Sequence, residues 1–104
     1  MGQQLERPGA LRVQGNDTAG IRWLRGQLPQ DFYPPDAKAQ GIDGLAIVDL
    51  LLNAEGAVLE AALVSESPPD QGFGLAALDT AKTYEFDNTF RRLVLMKVTI
   101  EFLP

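Results

Sequence analysis

The sequence predicts an α+β fold: a three-stranded antiparallel sheet in the order 2-1-3, with a short N-terminal helix and a crossover helix. Three observations carry this prediction. Residues 92–103 alternate at period two, with Val94, Met96, Val98, Ile100 and Phe102 on one side and Leu93, Leu95, Lys97, Thr99 and Glu101 on the other. Upstream, two apolar runs flank Asn53-Ala54-Glu55-Gly56, a sequence suited to a tight turn. Between the second run and the last lies an Ala- and Leu-rich segment with helical spacing.

The 104 residues fit one domain, and 45% hydrophobic against 22% charged residues is enough for a packed core. Residues 1–29 read as an arm or linker and residues 30–104 as the folded domain. Leu11–Gln14 is a candidate extended piece. Asp17-Thr18 offers a cap for a short helix, with Ile21, Leu24 and Leu28 at helical spacing. Trp23 falls off that stripe and reads as a packing residue. Tyr33-Pro34-Pro35 restarts the chain. Pro35 suits the first turn of a helix, where its missing N–H costs nothing, and Gly41 suits its end.

Gly44–Asn53 and Ala57–Ser65 read as a hairpin, with Gly56 supplying a positive φ. The first run is denser than strict alternation, as expected of a central strand. Pro68-Pro69-Asp70 ends the second strand. A helix is expected over about 74–84, with Leu75, Leu78, Ala77 and Ala81 facing inward. The expected core includes Ile47, Leu51, Val58, Leu78, Val98 and Ile100. A helical crossover returns the last strand beside the first, where it forms a long exposed edge, a template for another chain.

Composition excludes several functions. Neither Cys nor His is present, which removes thiolate nucleophiles, imidazole bases and the usual zinc ligands. No cofactor is expected. A net charge of −5 argues against nucleic acid. Asp36 with Asp43, or Asp49 with Glu60, could be read as paired carboxylates, but turns and exposed strand positions commonly carry such acids. The Gln71-Gly72-Phe73-Gly74 piece lacks the Lys and Ser/Thr of a phosphate loop. An enzyme is not expected. Basic residues gather near the C-terminus at Arg91, Arg92 and Lys97, facing an otherwise acidic chain.

The block Tyr33-Pro34-Pro35-Asp36-Ala37-Lys38-Ala39-Gln40-Gly41-Ile42-Asp43-Gly44 resembles the signature of the C-terminal domain of TonB-type energy transducers. Glu55-Gly56, Val58, Ser65, Pro68, Phe73, Ala76-Ala77-Leu78 and Tyr84-Glu85-Phe86 follow in the family's order. Tyr84 and Glu85 stand where the family usually has Trp and Arg, and residues 1–29 match nothing in it. The resemblance implies a periplasmic coupling domain. Such a domain captures the TonB box peptide of an outer-membrane transporter by strand addition, and passes on energy from an ExbB/ExbD motor for uptake of substrates such as siderophore-bound iron. The inner-membrane anchor and Pro-rich spacer would lie outside this chain. The implied partner-binding residues are Gln30 and the strand Arg91, Arg92, Leu93, Val94, Leu95, Met96, Lys97, Val98, Thr99 and Ile100. A homodimer through the last strand is a further expectation. The alternative is a TonB-like interaction or assembly domain without a transporter partner.

Overall fold

A computed structural model describes residues 4–14 and 20–104. The elements run β1 (Leu11–Val13), β2 (Ile21–Arg25), a 3-10 turn (Pro29–Phe32), α1 (Pro35–Ala39), β3 (Gly44–Leu52), β4 (Val58–Ser67), α2 (Phe73–Ala81), β5 (Glu85–Asn88) and β6 (Val94–Phe102). They form a four-stranded sheet in the order β1-β6-β3-β4 and a two-stranded sheet, β2-β5.

The hairpin and the last strand lie where the sequence places them. β3 is central, antiparallel to β4 on one side and to β6 on the other. Asn53 closes the hairpin turn by accepting the Glu55 and Ala57 N–H groups on its Oδ1. Gly56 takes φ 91°, and a side chain there would collide with the Phe86 carbonyl. Pro35 opens α1, and Gly41 (φ 69°) follows its end.

The three-stranded antiparallel expectation needs correction. Its 2-1-3 order survives as β4-β3-β6, but β1 adds a fourth strand, parallel to β6, and β2 and β5 make a sheet of their own. Ile21–Arg25 is strand, not helix, because it pairs with Glu85–Asn88 and buries only Ile21. The proposed cap Asp17-Thr18 lies outside the described residues.

The expected core mixes two faces of β3. Ala46, Val48, Leu50 and Leu52 join the main core with Phe73, Ala76, Ala77, Ala81, Val94, Met96, Ile100 and Phe102. Val58, Leu78 and Val98 pack at its margin. Leu51 is buried on the opposite face and Ile47 is half-buried there. A strand covered on both faces is apolar throughout, so alternation could not select its helix-facing side. Leu75, expected to face inward, is exposed. Phe73, Phe102 and Tyr33 form an aromatic cluster in the core, with ring centroids 5.2 Å apart for Phe73–Phe102 and 5.8 Å for Phe73–Tyr33. The Tyr33 hydroxyl donates to the Ile42 carbonyl at 2.5 Å, and burial raises its pKa.

Candidate partner-binding edge

β6 carries the candidate site, and backbone direction defines it. Leu11 donates its N–H to the Leu93 carbonyl at 2.9 Å. Along a strand, alternate residues point their backbone groups to opposite sides. Leu93, Leu95, Lys97, Thr99 and Glu101 therefore aim outward, away from β3.

This outward row is divided into three parts. β1 pairs with Val94–Met96, so β6 is interior there and not the full-length edge that the sequence suggests. At the far end, Gln30 Nε2 donates to the Leu103 carbonyl at 2.5 Å. The register places the Lys97 N–H on the Val13 carbonyl, and beyond it, among the described residues, no strand pairs with the outer side of Thr99–Phe102. The physical reason for the covered part is the cost of bare backbone groups beside an apolar core, which a short parallel strand removes.

The arm does more than pair. Gln4, Leu5 and Arg7 reach one residue on each of β6, β3 and β4. Gln4 Oε1 accepts from Lys97 Nζ at 2.9 Å, the Leu5 N–H donates to Asp49 Oδ2 at 2.8 Å, and Arg7 pairs with Glu60. Arg12 clamps Asp49 with two bonds, Nη1 to Oδ1 at 2.6 Å and Nη2 to Oδ2 at 2.9 Å. Asp49 is fully buried under this cover, and its hydrogen bonds raise the Arg12 pKa further. Asp49 and Glu60 thus each hold an arginine of the arm.

The named site residues fall into different environments. Arg91 and Arg92 are exposed in the turn before β6. Arg91 takes φ 56°, and Arg92 Nη2 donates to the Gly9 carbonyl at 3.0 Å. Asn88 holds that turn, donating from Nδ2 to the carbonyls of Asn53 and Arg92. Leu93 binds β1 through its carbonyl, while Val94, Leu95 and Met96 are buried. Lys97 and Thr99 are exposed, Val98 is half-buried, and Ile100 is core. Sequence reasoning missed Leu5, Arg12 and Asp49. The signal available was a lone acid inside an apolar run, together with Arg12 between Leu11 and Val13.

At the other corner, Tyr84 packs edge-to-face on Trp23 at 5.8 Å, and Glu85 pairs with Arg25. β2 thus supplies an aromatic and an arginine beside the two residues that depart from the resemblance.

The model of the Gram-negative bacterial TonB protein C-terminal family matches residues 29–103. The chain belongs to this family. Among solved structures, it is similar to the solution NMR structure of the Pseudomonas aeruginosa TonB C-terminal domain. The two share 18% identity at a TM-score of 0.58, over 99% of this chain and 94% of that one. That likeness supports a common TonB C-terminal fold. Comparison with curated proteins finds no match. TonB C-terminal domains form a periplasmic, non-catalytic family of energy transduction and protein interaction. No described helix of this chain is long and apolar enough to cross a membrane.

Proposed function

We propose that this TonB domain captures the box peptide of an outer-membrane transporter by strand addition on the outer side of β6, and couples it to inner-membrane energy. The observation that carries this reading is the outward backbone of Thr99 and Glu101, together with the Lys97 carbonyl, which lacks a strand partner among the described residues. Strand addition draws affinity from main-chain groups and leaves side chains to choose the register. It needs no catalytic residue.

Residues 30–104 would form the capturing domain, with residues 1–29 as its arm. Gln30, bonded at the end of the row, would mark where the captured strand stops. Arg91 and Arg92 would draw an acidic peptide. These charges are exposed, so each should contribute only about 0.2–1 kcal/mol. The force would arrive from an ExbB/ExbD-type motor through an anchor upstream.

Thr99→Pro tests the reading. It removes one outward N–H and leaves the bonds toward β3 in place, as proline is tolerated at a strand edge whose N–H faces solvent. Labelled N-terminal peptides of the organism's own TonB-dependent transporters are titrated, with chemical shifts mapped on the domain. Shifts should run along 97–101 in the native chain and shrink at least tenfold in apparent affinity in Thr99→Pro. Shifts confined to 57–65 would move capture to β4 and sink the assignment.

A further inference from the structure

Resting on that strand-capture reading, we propose that residues 4–13 are a self-supplied occupant of the capture edge, latched by Arg12 on Asp49. A partner strand longer than the Lys97–Glu101 opening then binds fully only when this arm lifts. The arm already does what a captured strand would do. β1 satisfies the outward row of β6 over Val94–Met96. Val13 belongs to the main core and Leu11 packs against it, while Arg12, between them, turns to the opposite face and meets Asp49. A replacement strand would need the same pattern: two apolar side chains flanking one polar side chain that can donate to a carboxylate.

The cover is built to be separable from the fold. Among the described residues, the three hydrogen bonds to the Asp49 carboxylate come from the arm, two from Arg12 and one from the Leu5 N–H. When the arm lifts, both charges pass into water and neither remains buried and unpaired, which limits the cost of opening. The contacts of α2 with β3 and β4 are untouched by this motion. The open stretch from Lys97 to Glu101 adjoins β1 directly, so an incoming strand can pair there first and then displace β1 residue by residue. Occupancy by the arm lowers apparent affinity by the fraction of chains in which it is lifted.

Amide hydrogen exchange on the whole chain reads the latch without any partner. The Leu95 N–H points toward β1 and the Met96 N–H toward β3. Leu95 should exchange at least tenfold faster than Met96, with a weaker dependence on denaturant. Leu11→Pro deletes the donor to the Leu93 carbonyl and should speed Leu95 several-fold more while sparing Met96. If that variant does not fold, Arg12→Gln keeps the backbone ladder and should act in the same direction. Equal exchange of Leu95 and Met96, in rate and in denaturant dependence, would show that the arm leaves only on global unfolding and overturns the proposal. A synthetic peptide of residues 4–14 provides the binding arm of the test. It should bind Leu11→Pro at least tenfold more tightly than the native chain, with shifts at Leu95. Equal affinity for both chains, or binding to neither, overturns the latch. If this peptide binds but transporter peptides do not, the latch stands and the transporter reading falls.

Discussion

On one face of the central sheet, Phe73, Ala76, Ala77 and Ala81 of α2 press on Ala46, Val48, Leu50 and Leu52 of β3. On the other face, Leu51, Ala62 and Leu95 are also buried, but their neighbour is the charged Asp49, and the cover is held by Arg7, Arg12 and the Leu5 backbone. The first closure rests on close apolar packing, where each large buried side chain contributes about 1.5–3 kcal/mol. The second rests on two ion pairs, a three-residue ladder and a few side chains at the sheet's rim. The proposed strand capture would use both kinds: one face held by apolar packing and one whose cover can lift.

Phe73→Ala should produce the largest effect. Phe73 is fully buried and touches the rings of Tyr33 and Phe102, so truncation should cost about 3–5 kcal/mol. Urea denaturation measures it. A loss below about 1 kcal/mol would mean that the helix-covered face is not the rigid one.

Asp49→Asn should cost less, about 1.5–3 kcal/mol, the range for hydrogen bonds to a charged group. The same urea experiment gives the comparison, and exchange at Leu95 should rise more than at residues under α2. If Asp49→Asn destabilised the chain as much as Phe73→Ala, the arm's cover would be as firmly held as α2 and the contrast between the faces would disappear.

A smaller effect is confined to alkaline pH. Burial raises the pKa of both Tyr33 and Tyr84 above the ordinary 10.0. The folded state then keeps protons that the unfolded chain gives up near that pH. Stability should be full below about pH 10 and fall as pH rises toward the raised folded values. Thermal melts from pH 8 to 11 check this, with Tyr84→Phe removing part of the slope. No change in the slope with Tyr84→Phe would leave Tyr33, beside Phe73, as its source.

The sequence by itself determined the elements whose signals are local and repeated. The five alternating residues on one side of β6 from Val94 to Phe102, the Asn53–Gly56 turn, the Pro35 start and Gly41 stop of α1, and the α2 helix were all legible. Each follows from periodicity over a long enough window or from a residue with restricted φ. The strand on which capture is proposed, β6, was legible for the same reason. Tertiary structure alone decided the rest. β1 lies on the extended piece expected at Leu11–Gln14, but three residues cannot name a partner, and that partner is more than eighty residues away in the chain. β2 shows helical spacing at Ile21, Leu24 and Leu28, yet pairing with β5 overrides it. β3 is apolar on both faces, so only the placement of α2 on one side and the arm on the other assigns Leu50 to one and Leu51 to the other. Strand pairing joins residues distant in sequence through backbone groups that every residue carries, so side-chain pattern cannot name the partner. That is why the sequence pointed to an edge on β6, and only the folded chain showed its own arm lying across the first part of it.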